Sequence, residues 1–434
     1  MTDTLRLSAP PRLRGEIDVP GDKSISHRAV MFNAIASGAA TIEHFLTGAD
    51  CRSTIGCMRA LGAQIAIDGE TVQIVGAGLR GLREPADVLD CGNSGTTLRL
   101  LAGLLAGVPG MFAVLTGDAS LRSRPQQRIV APLRALGATL DGRRDGELAP
   151  LMVRGAAIAG GSYVLPIASA QVKSALLLAA LSGTAPLALS GRTDGRDHSE
   201  LMLRAMGVSV TTDADLVTLT PPGENRPLQA VSLRVPGDPS SATFWWVAAA
   251  IHPDAAITTL GVGLNPTRTG ALDVLLAMGA DIVIENRRVE GSELVGDVTV
   301  RSSNLRGTTI GGALIPRLID EIPALAVAAA CARGETLIRD AQELRAKETD
   351  RIATVADGLA ALGASVEPTA DGMGIVGGAG LRGAALHSHG DHRLAMAWAV
   401  ASLVARGEVT IAGADAVDVS YPGFWETLTR LGRG

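Results

Sequence analysis

Apolar and polar positions alternate along this chain in a pattern that repeats. Six times an extended apolar segment passes through a polar turn straight into an apolar helix: Val19-Pro-Gly-Asp-Lys-Ser24, Leu89-Asp-Cys-Gly-Asn-Ser-Gly-Thr96, Leu165-Pro-Ile-Ala-Ser-Ala-Gln171, Val235-Pro-Gly-Asp-Pro-Ser-Ser241, Leu318-Ile-Asp-Glu-Ile-Pro323 and His387-Ser-His-Gly-Asp-His-Arg393. A second landmark is Leu-Gly or Met-Gly at the end of an apolar-periodic helix. It recurs at Gly62, Gly137, Gly207, Gly279, Gly363 and Gly432, at spacings of 75, 70, 72, 84 and 69 residues. Such a glycine reads as a left-handed helix C-cap. After the first five, runs such as 63–67 with 72–75, 208–211 with 216–219 and 280–284 with 298–301 predict hairpins.

Each repeat therefore reads strand, polar turn, buried helix, short strand, second helix ending in Gly, hairpin: six βαβαββ-type units. The sixth stops at Gly434 without its hairpin, while the chain begins with two orphan strand-like runs, 6–9 and 12–19. The simplest closure pairs the N-terminus with the last unit. This predicts an α/β protein of two three-unit domains, 20–237 and 238–434, the second completed by 1–19, with crossovers near Gly21 and Gly237. Two domains joined by a double hinge suggest a cleft that closes on its ligand.

Composition narrows the function. The 434 residues carry a formal charge of −5, with 19% charged and 47% hydrophobic side chains, which argues against nucleic acid or an anionic membrane as the main partner. The richest apolar runs, such as 98–108, are cut by Arg, Gly or Pro and fall short of a membrane span. No export signal opens the chain, so a cytoplasmic address is expected. Cys51, Cys57, Cys91 and Cys331 lack metal-ligand spacing and read as small buried hydrophobes without disulfides.

The six turns each precede a helix N-terminus, where unpaired N–H groups and the positive dipole end favour anions; the competing explanation for any one of them is simple capping. Lysine usage sharpens the choice. Only Lys23, Lys173 and Lys347 stand among 39 basic residues, and all lie in or beside these motifs. An ammonium is a compact charge whose pKa falls readily on burial, unlike that of Arg. Lys173, inside the first turn of its helix, reads as local support. Arg124 belongs to a polar turn, Leu121-Arg-Ser-Arg-Pro-Gln-Gln-Arg128. Lys347 and Arg351, four apart, would share a helix face with Glu348 one step around, where a surface ion-pair ladder is the alternative. Asp320 and Glu321 precede Pro323, where an Asp N-cap is an equally ordinary reading. His387, His389 and His392 lack further ligands at suitable spacing, so no metal site is expected. Phosphate-loop, dinucleotide, zinc-hydrolase and serine-esterase signatures are all missing from the sequence.

Jointly, Pro20-Gly-Asp-Lys-Ser-Ile-Ser-His-Arg28, Gly92-Asn-Ser-Gly-Thr96, Arg124-Pro125, Ser169-Ala-Gln171, Asp320-Glu-Ile-Pro323, Leu344-Arg-Ala-Lys-Glu-Thr-Asp-Arg351 and Asp391-His-Arg393 resemble the 5-enolpyruvylshikimate-3-phosphate synthase family, end to end and in order. The resemblance implies a two-domain inside-out α/β barrel and transfer of the enolpyruvyl group of phosphoenolpyruvate to the 5-hydroxyl of shikimate 3-phosphate, with release of phosphate. It implies no cofactor, a monomer, and glyphosate as a possible inhibitor. By similarity, Lys23 contacts both substrates. Ser24, Arg28, Ser169, Ala170, Gln171, Arg196, Asp320 and Lys347 hold shikimate 3-phosphate. Gly95, Arg124, Gln171, Arg351 and Arg393 take phosphoenolpyruvate, where a guanidinium fork fits its carboxylate and phosphate. Asp320 is expected as the base and Glu348 as a proton donor, with Lys23 stabilising charge.

Within the family, Arg196-Asp-His-Ser-Glu200, Ser169-Ala-Gln-Val-Lys173 and Asn265-Pro-Thr-Arg268 resemble the second, often glyphosate-tolerant class. Two positions depart from expectation. Gly95 stands where tolerant members carry Ala, and Ser420 precedes Tyr421-Pro422 where other members place a lysine. The sister family, UDP-N-acetylglucosamine enolpyruvyl transferase, usually has a Cys before the Arg-Pro pair, and the segment 117–125 has none. A non-catalytic repeat scaffold would leave the turn chemistry and the three lysines unexplained.

Overall fold

Short oxygen side chains decide where the buried helices start. In the computed structural model, which describes residues 4–223 and 226–433, Asp22, Ser94, Ser169, Asp238 and Asp391 each accept a hydrogen bond from a backbone N–H two or three residues further on. They open α1 (Lys23–Ala34), α2 (Gly95–Ala106), α3 (Ala170–Ala180), α4 (Pro239–Ile251) and α6 (His392–Ser402), while α5 (Ile322–Cys331) starts after Glu321 with no side-chain cap. These helices are buried nearly all round, as the absence of a polar stripe on α4 and α5 demands.

The chain divides into two compact units, one formed by Gly21–Val235 with Glu290–Glu293, the other by the residues up to Pro20, Pro236–Val289 and the residues from Leu294 onward. Each has its own apolar core. The first holds α1–α3 and the second α4–α6, with sheets on the outside. This is an inside-out α/β arrangement.

Five of the described sheets repeat one plan. A leading strand runs parallel to a second strand, which pairs with an antiparallel hairpin: Gly161–Leu165 lies beside Leu187–Gly191, which pairs with Leu216–Thr220, itself paired with Ser209–Asp213. Among the described residues these five sheets have four strands and a sixth has three. In the helical layer, α2 and α3 approach so closely that a Cβ on Gly103 would lie 2.5 Å from Ala175 Cα, and one on Gly107 2.9 Å from Ala179 Cα. Only glycine leaves room there.

Two expectations need correction. The N-terminal runs do not both join the last unit: Thr4–Leu7 pairs with Val409–Ala412 in the sixth sheet, but Leu13–Asp18 lies parallel to Ala255–Gly263 in the fourth. The fourth sheet needs that strand because Leu233–Arg234, the segment leading into α4, pairs with Ala39–Glu43 in the first sheet. The leading strands of the first and fourth units are thus exchanged. The second correction concerns the glycine landmark: Gly62, Gly137, Gly207, Gly279 and Gly363 have φ between 87° and 107°, whereas Gly432 caps its helix at φ −75°, with no hairpin to turn into.

Cys51, Cys57 and Cys91 are buried and Cys331 is partly so. Among the described residues no helix is long and apolar enough to cross a membrane.

Candidate functional site

In the unit of Gly21–Val235, the N-termini of α1, α2 and α3 carry the predicted residues. Lys23 is the first residue of α1, and its ammonium lies 2.5 Å from Asp50 Oδ2. Ser24 follows on the same turn, and its carbonyl accepts from Arg28 Nη1 at 2.9 Å. Arg28 is buried and donates to Ser199 Oγ and Ser174 Oγ, each at 2.7 Å. Its pKa is lowered to about 10, chiefly by burial and further by the charge of Arg196, against the opposing carboxylates of Glu200, Asp22 and Glu293.

Gly95 opens α2, and the groups around it interlock. Arg124 Nη2 donates to Asn93 Oδ1 at 2.7 Å and to Ser120 Oγ at 3.0 Å, while its Nε is buried without a hydrogen bond. Arg124 holds an extended backbone before Pro125, the conformation that a following proline favours. Ser169 is the N-cap of α3 and Ala170 its first residue. Gln171 donates to Thr96 Oγ1 at 3.0 Å and accepts from Arg99 Nη1 at 2.8 Å. Lys23, Ser24 and Arg28 are therefore carried on α1, Gly95 on α2, and Ser169 to Gln171 on α3, with Arg124 over the turn before α2.

In the other unit the predicted residues form an ion-pair cluster. Lys347 Nζ donates to Asp320 Oδ1 at 3.1 Å. Arg351, only 1% exposed, makes a two-point contact with Asp391 (Nε to Oδ2 at 2.7 Å, Nη2 to Oδ1 at 3.0 Å) and reaches Glu348 Oε2 at 2.7 Å. Its buried Nη1 makes no hydrogen bond and stands 3.6 Å from Asp320 Oδ1. Burial works against the charge of Arg351, but Asp391, Glu348 and Asp320 outweigh it and hold its pKa well above the ordinary value. Burial likewise opposes ionisation of Asp391, yet the charge and hydrogen bonds of Arg351 keep its carboxyl below the usual range. Arg393, in the first turn of α6, is half-buried, and its guanidinium pairs with no other described residue.

The helix face expected to carry Lys347 and Arg351 does not form, nor does the alternative of a surface ladder. Residues Gln342–Ala346 make a 3₁₀ turn, and the α-helix Arg351–Ala361 begins only after Asp350, whose carboxylate accepts from the N–H groups of Ile352 and Ala353. Lys347 and Glu348 thus lie on an irregular strand of backbone ahead of the helix, and the cluster is buried at Arg351 rather than spread on a surface. Asp320 is no cap either. The fifth turn is the one polar turn of the six without a side-chain cap, and Glu321 there accepts from Ser240 while Asp320 faces Lys347.

Several partners escaped the sequence reading: Asp50 beside Lys23, Arg99 and Asn93 around Gly95, and Asp391 under Arg351. Arg99 had a signal, since it lies four residues from Gly95 on the same helix. Asp50 had none, because its partner sits on a different element. Ser420 is buried at the end of the 3₁₀ turn Ala414–Val419. The rings of His387 and His389 lie 4.6 Å apart, and among the described residues no three His, Cys, Asp or Glu side chains are grouped to hold a metal.

Comparison with known proteins follows the same lines. A family model described as EPSP synthase (3-phosphoshikimate 1-carboxyvinyltransferase) matches residues 7–428. A 3-phosphoshikimate 1-carboxyvinyltransferase of Roseiflexus sp. (strain RS-1) is 73% identical over 425 residues, 98% of each chain. The corresponding protein of Chloroflexus aurantiacus (strain J-10-fl) is 70% identical over 429 residues, again 98% of each. The solved EPSP synthase of Acinetobacter baumannii superposes with a TM-score of 0.88 at 41% identity, covering 100% of this chain and 98% of that one. The enolpyruvyl transferase NikO of Streptomyces tendae shares the fold, with a TM-score of 0.81 at 20% identity over 100% and 98% of the two chains.

Proposed function

The chain belongs to the EPSP synthase family, and from that premise we propose how its own side chains divide the work of the reaction. That reaction moves the enolpyruvyl group of phosphoenolpyruvate onto the 5-hydroxyl of shikimate 3-phosphate and releases phosphate. The hydroxyl oxygen attacks C2 of phosphoenolpyruvate while a proton is added at C3, giving a tetrahedral ketal phosphate. The C2–O bond to phosphate then breaks as a proton leaves the new methyl group.

Arg28, Arg196, Ser24, Ser169, Ala170 and Gln171 hold shikimate 3-phosphate. Gly95, Arg124, Arg351 and Arg393 take phosphoenolpyruvate, with Gln171 serving both. The observation that carries this assignment is unfilled donor capacity: Arg124 Nε and Arg351 Nη1 are buried without hydrogen bonds, and Arg393 has no pairing partner among the described residues. Buried guanidinium donors left open are costly unless a ligand supplies the acceptors.

Asp320 takes the proton of the 5-hydroxyl, with Lys347 and Arg351 orienting its carboxylate. Glu348 delivers the proton to C3. In the free protein Glu348 is held by Arg351 Nη2. An anion arriving at Arg351 competes for that donor and frees the Glu348 carboxyl to carry a proton. Lys23, restrained by Asp50, stabilises charge on the leaving phosphate.

The test is phosphate release with phosphoenolpyruvate and either shikimate 3-phosphate or UDP-N-acetylglucosamine. Release with the first acceptor alone is expected. Release with the second, or with neither, overturns the reading.

A further inference from the structure

Lys173 has no part in the reaction as described, yet it is a buried lysine, 2% exposed, in the first turn of α3. Its ammonium has three protons and three acceptors: Glu200 Oε1 at 2.6 Å, the Thr193 carbonyl at 2.9 Å and the Gly195 carbonyl at 2.9 Å. Residues 192–197 have no regular secondary structure and carry Arg196. The same segment lies against the start of α3, since a Cβ on Gly195 would come 3.0 Å from Ala170 N and 3.4 Å from Ser169 C. Glu200, in the first turn of the helix His198–Ala205, is 1% exposed, and its Oε2 makes no hydrogen bond among the described residues. It answers the charge of Lys173 on one side and of Arg28 on the other.

We propose that Lys173 is a positioning residue for the acceptor phosphate, fixing the 192–197 loop, and with it Arg196, against the N-terminus of α3 through the Lys173–Glu200 pair. The inference rests on the binding roles given above to Arg196 and Ser169. An ammonium suits the task because its three donors splay tetrahedrally onto two carbonyls and one carboxylate. A planar guanidinium cannot meet that arrangement without moving the loop. With the amine removed, both carbonyls lose their donor, a buried carboxylate loses its counter-charge, and the loop is released.

The test is steady-state kinetics of Lys173→Met, Glu200→Gln, Arg196→Ala and the double variant Lys173→Met/Arg196→Ala, each checked by circular dichroism. Displacing a binding group by around 1 Å is worth up to roughly 10²-fold. Lys173→Met is therefore expected to raise KM for shikimate 3-phosphate by at least about ten-fold, with KM for phosphoenolpyruvate changed by less than about two-fold. Glu200→Gln, which keeps an acceptor for the amine, shifts the same constant in the same direction by less, and it carries the test if Lys173→Met does not fold. In the Arg196→Ala background the Lys173 substitution adds nothing further. An unchanged KM for shikimate 3-phosphate in both Lys173→Met and Glu200→Gln overturns the inference, as does an equal increase with and without Arg196. If Arg196→Ala itself leaves that KM unchanged, the binding assignment fails first, an outcome separable from the other two.

Discussion

Asp320→Asn and Asp391→Asn, compared side by side, separate chemistry from scaffolding within one cluster. Asp320 keeps a side-chain exposure of 19% and meets Lys347 at 3.1 Å and Arg351 at 3.6 Å. Neutralising it leaves Arg351 with its two bonds to Asp391 and one to Glu348, so the folding cost is that of a partly solvated pair, about 1 kcal/mol. For a unit of this size that lowers Tm by roughly 2–4 °C. The rate effect is larger, because removing a general base costs at least about 10²-fold, equivalent to about 2.7 kcal/mol in the barrier. Asp391 is the reverse case. It is fully buried against the 1%-exposed Arg351, and its neutralisation breaks a two-point buried ion pair worth about 3 kcal/mol or more, or roughly 6–12 °C in Tm. Stopped-flow phosphate release under saturating substrates, with differential scanning calorimetry on the same preparations, reads both quantities. If Asp320→Asn retains turnover within about ten-fold of the parent, or melts as early as Asp391→Asn, the assignment of Asp320 as the base is wrong.

Other outcomes follow from the same geometry. His27 is fully buried, with Nδ1 2.7 Å from Thr54 Oγ1, and burial lowers its pKa to about 3. The unfolded chain gains that proton near pH 6.5, so this stabilising contribution is complete above pH 6.5 and is lost progressively down to about 3. Urea unfolding of His27→Gln should accordingly lose about 3 kcal/mol less than the parent between pH 7 and pH 4.5, and equal losses would contradict it. Gly103→Ala places a methyl carbon 2.3 Å from the Ala175 carbonyl oxygen and should cost about 1–3 kcal/mol in denaturant stability; an unchanged midpoint would mean that α2 and α3 separate without penalty. Gly95→Ala puts its methyl 2.8 Å from Arg99 Nη1, a group tied to Gln126 and Gln171, so KM for phosphoenolpyruvate should rise. An unaltered value would show that Arg99 yields freely.

The sequence reading succeeded where the signal was local. Apolar periodicity and the cap residues Asp22, Ser94, Ser169, Asp238 and Asp391 mark five of the core helices, because an N-cap is decided within three residues. Pairing was harder. Leu233–Arg234 is a two-residue strand whose partner, Ala39–Glu43, lies almost two hundred residues earlier, and no periodicity exists over two residues. The segment around Lys347 misled for a different reason: i,i+4 spacing assumes a continuous helix, and Asp350 starts the helix one residue before Arg351. At the candidate site the charged residues themselves were legible from type and motif. Most of their partners were not, since Asp50 and Glu200 become neighbours of Lys23 and Lys173 only through tertiary contacts.

The exchanged leading strands bear on the order in which the chain can acquire its structure during synthesis. Once residue 235 has left the ribosome, the first three sheets possess every strand they need. Leu13–Asp18 must then wait for Ala255–Gly263, and Thr4–Leu7 for Val409–Ala412, the last of the described strands to be made. The opening segment, with the core residues Leu13 and Ile17, therefore passes most of translation as an unpaired edge, the kind of segment that recruits wrong partners. An N-terminal fusion or trimming should consequently leave the earlier-formed unit intact and burden the one finished last.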